Sequence, residues 1–454
     1  MKRLLGFSAS TIFVAIINLC SLMILTRLFS PGDYGKANLL ISYAVIVSTI
    51  ISFAVDQVLI HYFYKVNLKS VLINFCKYSF LIVAIIAIIL FFIKPVLSFS
   101  NLDLILLVLY SVALVINKIF LTLFRMKNDF RNYFIQACFS KIAELALIVA
   151  LLFSLSESYF ILLLPFAISV SLISLFQSRS AYKIINHTTE QHSISLHEQI
   201  SFSLPLLFSI LLTTVTQNID KITLSHFVSD EKMGVYYTSF KLIGLISIVY
   251  TVISLVWVPK AVKISSQETQ QDSSFYLASE SFLQIICCII IILYLTFKDL
   301  IMMLLGNEFM NSSDLIDILI IIPVVMVISE VYSTYITVNK RTKCHLVIAI
   351  MILVINSVCS FTFSMVWGVE GAAYSMFLTY LAIYTLRLYY YQKISSYSLF
   401  RFQNITGYMI LVILFSHSFI HNRYITIAAT LIIFIILSIN FKDKSKFFFK
   451  SILD

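Results

Sequence analysis

The sequence predicts an all-α integral membrane protein of about fourteen transmembrane helices: two six-helix lobes in parallel repeat plus an extra C-terminal helical hairpin. Three observations predict it. First, 60% of the 454 residues are apolar and only 12% charged, which excludes an ordinary soluble domain. Second, apolar runs of about 20 residues recur along the whole length, each able to cross roughly 30 Å of hydrocarbon as a helix. The alternating ten-residue segments of a membrane barrel are absent. Third, one helix–turn–helix stretch is written twice. LTRLFSPGDYGKANL at residues 25–39 aligns without a gap on LSHFVSDEKMGVYYT at 224–238, matching Leu25 with Leu224, Ser30 with Ser229 and Gly35 with Gly234.

The elements follow in order. A first helix at 4–28 comes directly after Met-Lys-Arg. It is too long for a secretory signal peptide, lacks a small-x-small cleavage site and precedes many similar runs, so it is read as retained. Lipoprotein-type cleavage at Cys20 is disfavoured by the preceding Asn18-Leu19. Pro31 to Gly35 reads as a tight outer turn, Pro31 setting φ and Gly35 permitting a positive one. Helices near 37–60, 78–97, 104–124, 134–154 and 159–178 complete the first lobe, residues 1–199. His187, His192 and His197 then share a polar loop at five-residue steps, which match neither a helical ligand pair nor a zinc pattern. Helices near 200–227, 234–259, 276–297, 314–338, 344–366 and 371–391 make the second lobe, residues 200–398. Pro205 aligns with Gly6, so both lobes' first helices are expected to bend near their inner ends. Helices near 404–420 and 424–440 form the hairpin, followed by a basic tail within residues 399–454. The seven cysteines lie in or beside apolar runs without metal-ligand spacing and read as small apolar fillers.

Orientation comes from the 32 lysines and arginines. With the N-terminus inside, 21 fall in inner segments and six in outer loops: Arg27, Lys36, Lys94, Lys232, Lys298 and Arg423. The other five, Lys118, Lys141, Lys221, Lys241 and Arg387, lie inside helices. This asymmetry predicts both termini in the cytoplasm. The net charge of +10 is thus a matter of topology, and with no basic soluble module a nucleic-acid partner is excluded. Six helices per unit, an even number, give both units the same orientation.

The stretch RLFSPGDYG at 27–35 resembles the RxxSPxxYG signature of polysaccharide and O-antigen flippases, members of the multidrug/oligosaccharidyl-lipid/polysaccharide exporter superfamily. Asp220 in QNIDKITLSHF, followed by Gly234-Val-Tyr236, and Gly368-x-x-Gly371-Ala-Ala are similar as well. The resemblance covers about residues 1–398. It implies two six-helix lobes in a V around a central cavity opened to one side at a time, in a bacterial cytoplasmic membrane. The implied cargo is an oligosaccharide on a polyprenyl pyrophosphate, and the implied partners are that lipid-linked oligosaccharide, membrane lipids and other polysaccharide-assembly membrane proteins. The O-antigen members usually stop near 12 helices, and this chain carries two more. In related peptidoglycan-precursor flippases an extra hairpin contributes a groove for the lipid tail.

Such a cargo needs cations to replace water around its pyrophosphate and a polar path for its sugars. It needs no nucleophile, acid/base pair or cofactor. Charged groups within helices are costly in lipid and face a cavity or a partner. The candidate substrate-binding cations are Arg27 at the outer end of helix 1, Lys118 on helix 4, Lys141 on helix 5, Lys221 on helix 7 and Lys241 on helix 8. The fork of Arg27 suits a pair of phosphate oxygens; it also suits interfacial snorkelling or capping of the Ser30–Gly35 turn. Glu144, one turn beyond Lys141, is both its natural local partner and a candidate proton or sodium site. Asp220 and Glu330 are the other candidate ion-coupling carboxylates, Glu330 as a deep acid able to exchange a proton. Asp56 and Arg387, near inner helix ends, are expected to be solvated at the interface. The tyrosines near helix ends, such as Tyr34, Tyr62 and Tyr64, read as the interfacial belt.

Two alternatives stand beside a flippase. A drug/cation antiporter of the same superfamily would favour pooled acids in one lobe, whereas here cations outnumber carboxylates at depth. A membrane polymerase or ligase of surface polysaccharide would place its chemistry in a sizeable outer loop, and the longest here is about 16 residues, around 298–313. A nucleotide-driven pump is excluded by the lack of a GxxxxGK[ST] stretch.

Overall fold

The structure, a computed structural model, describes residues 2–97, 99–153, 158–186, 193–265, 271–339, 341–395, 402–420 and 422–453. His187 and His192 fall outside them. Among the described residues there is no strand. Twelve helices are long and apolar enough to cross a membrane; one of them, Lys343–Ser395, is broken at Gly368, and Ile12–Leu28 is a shorter apolar helix. The two limbs of the broken helix together with Ile12–Leu28 bring the passes to fourteen, as the apolar runs predict.

The chain folds as two compact units, Met1–Gly234 and Val235–Asp454. The first contains α1 (Lys2–Leu28), α2 (Pro31–Ser52), α3 (Val55–Tyr62), α4 (Leu68–Leu97), α5 (Asn101–Met126), α6 (Phe130–Phe134), α7 (Ser140–Leu152), α8 (Leu164–Asn186), α9 (Leu196–Thr216) and α10 (Ile219–Leu224). Helix α2 starts where Ser30 Oγ accepts from Asp33 N at 3.2 Å and Pro31 occupies a position needing no N–H. Helix α5 starts with a reciprocal cap: Asp103 N donates to Ser100 Oγ (3.1 Å) and Ser100 N to Asp103 Oδ2 (2.8 Å). In lipid, helices associate through close packing and side-chain hydrogen bonds rather than a hydrophobic effect. Accordingly α2 meets α5 at buried Ala44 and Ser111, where Ser111 Oγ donates to Ala44 O at 3.1 Å. The unit extends past residue 199, the end of the sequence repeat, because α9 and α10 pack against α2 and α9 also against α3.

Several of the runs that periodicity predicts as regular rods are broken, among them three in the first unit. The 37–60 run breaks at Phe53 and Ala54, which take φ of 45° and 55°. The 134–154 run holds a π-helical stretch, Ile135–Phe139, between α6 and α7. The 200–227 run stays helical through Pro205 and breaks instead at Gln217–Asn218, between α9 and α10.

The second unit holds α11 (Asp230–Ile246), which spans the boundary, then α12 (Ile248–Ser265), α13 (Gln271–Met303), α14 (Ser312–Leu319), α15 (Ile321–Val338), α16 (Thr342–Ser395), α17 (Phe402–Ile420) and α18 (Arg423–Leu453). Its core is the α14–α15 span, 94% buried, against which α13, α16 and α17 pack. Gly368 bends α16 back on itself at φ 58° and ψ −127°, a conformation open chiefly to glycine. Three residues on, a Cβ at Gly371 would stand 2.0 Å from Phe363 O, so the Gly368-x-x-Gly371 motif is a hairpin that needs both glycines. The C-terminal α17 and α18 belong to this unit. Gln284 on α13 donates to Gln403 O (2.6 Å) and accepts from Thr406 Oγ1 (2.8 Å), while Gly407 leaves room for the Tyr384 hydroxyl.

Candidate functional site

The twice-written turn is explained by the close approach of its two copies. A Cβ on Gly35 would lie 2.0 Å from Asp230 O and 2.8 Å from Gly234 N; one on Gly234 would lie 2.0 Å from Pro31 O. Each copy's glycine therefore makes room for the other copy's backbone. Gly35 is helical rather than at positive φ, so the expectation of a strained turn there is corrected: glycine is required by proximity, not by dihedral freedom. Tyr34, expected in an interfacial belt, is instead fully buried beneath this contact region. Asp33 fixes the first copy further, its Oδ1 accepting from Tyr159 N at 3.1 Å. Arg27 is exposed on the last turn of α1, just before this element.

Lys118 on α5 reaches Asp56 on α3 at 2.8 Å, the lysine 38% exposed and the carboxylate 9%. The expectation of a solvated Asp56 is overturned. The left-handed break at Phe53–Ala54 re-aims the chain so that Asp56 falls in the first turn of α3, where unsatisfied amides favour a negative charge. Lys141 and Glu144, both on α7, pair at 2.7 Å, with the ammonium also 4.8 Å from the centre of the Phe166 ring. Just before them, the π-helical stretch turns buried Gln136 toward Asn117 Oδ1 (3.0 Å) and Ser174 Oγ (3.3 Å), joining α5 and α8 in a polar cluster.

Asp220 and Lys221 are both buried, 0% and 5% exposed, and meet at 3.5 Å. Lys221 Nζ also donates to Gln217 O at 2.6 Å, so the ammonium bridges the break between α9 and α10. A pair adjacent in sequence diverges by about 100° on a helix; here the flexible lysine stem closes that angle. Where α2 packs against α9, the hydroxyls of Thr49 on α2 and Thr214 on α9 lie 3.4 Å apart.

In the second unit, Lys241 is exposed on α11. Glu330 on α15 is buried and accepts from Tyr250 Oη (3.0 Å) and Ser254 Oγ (3.2 Å) on α12. Arg387 on α16 donates to Ser329 Oγ at 2.8 Å, and its positive charge acts on the Glu330 carboxylate. Arg387 is thus held by the residue next to the deep acid, which corrects the expectation of a solvated interfacial arginine. Two further features escape a reading of one sequence. Glu280 on α13 is buried near the hydroxyls of Tyr332 and Tyr384, its charge acting on both. Asp317 on α14 gathers Lys298 Nζ (2.6 Å), Tyr294 Oη (2.7 Å) and His417 Nε2 (3.6 Å), tying α13 and α17 together. The only signal available for these was an acid inside an apolar run.

Comparison with known proteins supplies the rest. Residues 4–265 match the model of a family described as polysaccharide biosynthesis protein. Among solved structures, the chain resembles the lipid II flippase MurJ in an inward closed conformation, with TM-score 0.70 and 14% identity over 96% of this chain and 99% of that one. It also resembles an inward-facing multidrug resistance MATE family transporter of the MOP superfamily, with TM-score 0.50 and 14% identity over 91% and 96% of the two chains. A MATE crystallised in complex with MaD5 gives TM-score 0.52 and 14% identity over 91% and 97%. A search of curated proteins finds no match. The fold is therefore that of these multi-helix transporters.

Proposed function

We propose that this chain, which belongs to the polysaccharide biosynthesis protein family, is a flippase that carries a polyprenyl-pyrophosphate-linked oligosaccharide from the inner to the outer leaflet by alternating access. The observation that carries this reading is the fold shared with a lipid flippase at TM-score 0.70 in a chain of a polysaccharide family. The cargo is an O-antigen or capsule-type repeat unit, and the site is a bacterial cytoplasmic membrane with both termini in the cytoplasm. Arg27, Lys118, Lys141, Lys221 and Lys241 meet the pyrophosphate in turn. Glu144, Asp220 and Glu330 are the groups through which a proton or sodium ion couples to movement. Other membrane proteins of polysaccharide assembly supply the cargo and take it away.

The physical logic supports this. Moving a pyrophosphate across hydrocarbon requires each lost hydration contact to be replaced by a fixed positive group. In the first unit two such groups, Lys118 and Lys141, are partly exposed while paired to carboxylates, so an arriving anion exchanges partners instead of meeting bare cations. Release outward requires the Gly35–Gly234 contact to separate. The antiporter alternative draws on the weaker likeness to multidrug transporters, TM-score 0.50. Deleting the gene tests the proposal: lipid-linked repeat units should accumulate on the inner leaflet while long surface polysaccharide disappears. Normal polysaccharide in the deletion strain would reject it.

A further inference from the structure

We propose that the Asn186 end of α8, with exposed Arg179 and Lys183 and the neighbouring Arg131 of α6, is a docking surface for anionic phospholipid of the surrounding bilayer. This surface takes lipid, not cargo, and so goes beyond the flippase reading without depending on it.

Helix α8 has two contrasting faces. Val170, Ser174, Gln177, Ala181 and Ile184 are buried, and at about 100° per residue they share an arc of about 80°. On the opposite side Leu172, Phe176, Arg179 and Lys183 fall within an arc of about 60°, and all four are exposed. Leu172 and Phe176 are 57% and 80% exposed. Such side chains, left open on a membrane span, face acyl chains, which are as apolar as they are. The same stripe then turns basic. Arg179 lies about 10 Å along the axis from Leu172, and Lys183 about 6 Å further, close to the end of α8 at Asn186. A stripe that passes from apolar to cationic over that distance follows the passage from hydrocarbon to headgroups. Tyr182, 64% exposed, stands beside Lys183, at the level where rings with a polar tip collect. The lysine and arginine pattern assigns this end to the cytoplasmic side.

Arg131 joins this pair through the packing of α6 on α8. Gln177, on the buried face of α8, donates to Asn132 O at 2.9 Å, which holds α6 close to the level of Arg179. Arg131 precedes Asn132 in the chain and is exposed, as is Phe130 beside it. Among the described residues no ion pair joins Arg131, Arg179 or Lys183 to a carboxylate. Asp129, two residues before Arg131, is occupied as the cap of α6: its Oδ1 accepts from Asn132 N (3.2 Å) and its Oδ2 from Asn132 Nδ2 (2.7 Å). Lys118 and Lys141 of the same unit, by contrast, each hold a carboxylate.

Three cations gathered without a counter-charge draw an anion from outside the chain. The two guanidinium forks match the oxygen pair of a phosphodiester, and the lysine adds a point charge. The stripe itself selects the source of that phosphate. Its cations run without interruption into lipid-exposed Leu172 and Phe176, so a ligand whose charged head is covalently joined to an apolar tail covers both parts at once. Soluble phosphate or an acidic protein surface would cover the cations alone. A basic side chain beside an anionic headgroup layer is worth about fivefold in occupancy, so even one of the three acting alone gives a measurable preference for anionic lipid.

The test uses the full-length protein in phosphatidylcholine nanodiscs, with Tyr182→Trp as a reporter within the surface. The signal of the native Trp257 and Trp367 is subtracted by measuring the parent protein alongside. Acyl-brominated phosphatidylglycerol and acyl-brominated phosphatidylcholine are titrated in separately, and each quenches the reporter as it occupies the neighbouring position. Phosphatidylglycerol is expected to be preferred at least about fivefold, with the preference falling as salt rises. Arg131→Gln, Arg179→Gln and Lys183→Gln are each expected to lower it, and the triple variant to bring it to unity, while Arg179→Lys keeps most of it. A second reporter, Phe361→Trp on α16, is also lipid-exposed but far in sequence from any lysine or arginine, and should show no preference. Equal quenching of Tyr182→Trp by the two lipids would overturn the inference and leave the cations to an acidic protein surface. An undiminished preference in the triple variant, or the same preference at Phe361→Trp, would overturn it too. Displacement of the brominated phosphatidylglycerol by excess inorganic phosphate would reassign the site to a soluble anion. Each of these results leaves the flippase reading as it stands.

Discussion

Substituting Gly35 by alanine probes the doubled turn directly. The new Cβ would sit 2.0 Å from Asp230 O, against about 3.3 Å for a close carbon–oxygen contact. The two backbones must therefore part by roughly 1.3 Å, and neither obstacle is a flexible side-chain tip. Overpacking of this kind costs about 1–3 kcal/mol. On the proposed alternating-access cycle, in which the contact belongs to one state only, that whole cost falls on that state and shifts the equilibrium about 5–150-fold toward separation of the turns. The assay is the distance between spin labels at Lys36 and Lys232 on a cysteine-free background in lipid nanodiscs. The alanine variant should show a longer, broader distribution and a loss of vectorial transport. Gly234→Ala should do the same, since its Cβ meets Pro31 O at 2.0 Å. The double variant should fall well short of the summed effects, because once the turns have parted the second Cβ meets nothing new. Wild-type distances and wild-type transport in Gly35→Ala would refute the reasoning.

Three further outcomes are expected. Lys118→Met should destabilise the protein more than Asp56→Ala, by about 2 kcal/mol against about 1, because it strands the buried partner while the reverse change leaves an ammonium that can reach solvent; thermal unfolding in detergent gives the order, and the reverse order rejects it. Removing one member of the buried Asp220–Lys221 pair, as in Asp220→Asn, should cost about 3–5 kcal/mol, and the double Asp220→Asn/Lys221→Met variant should regain much of the stability without regaining transport. Arg27→Ala should fold normally and transport poorly, with Arg27→Lys intermediate; full activity of the alanine variant would remove Arg27 from the site.

The number of passes is legible in the sequence because hydrocarbon thickness imposes one length on every helix, whatever its neighbours. The breaks are not. Phe53 and Ala54 adopt left-handed dihedrals without a glycine between them, so tertiary packing sets that conformation against local preference. Pro205, the obvious place for a kink, stays helical, while the true break at Gln217–Asn218 carries no glycine or proline. The site shows the same division. Lys141 and Glu144 are one helical turn apart, and their pairing follows from spacing alone. Asp56 with Lys118, and Glu330 with Tyr250 and Ser254, are joined across helices, and no periodicity within one segment encodes which faces meet. The glycines of the doubled turn were visible as a repeat, yet the reason for them lies in the other copy.

The breaks and the charges share a cause. Irregular backbone at membrane depth exposes carbonyl and amide groups that lipid cannot satisfy, so it persists only where polar groups or water meet it. In the first unit Lys221 donates to Gln217 O at one break, and Asp56 lies in the first helical turn after another. Lys141 follows directly on a π-helical stretch, whose Gln136 carbonyl is taken by the Ser140 hydroxyl. A side chain that repairs a broken helix and also neutralises a charge is bound to two partners at once. Lys221 is such a side chain, held by Asp220 and by the Gln217 carbonyl. On the function proposed above, a phosphate that drew Lys221 from Asp220 would also draw it from that carbonyl and loosen the backbone at the break. A rod of regular helix with the same charge on its surface would bind the anion and stay as it was.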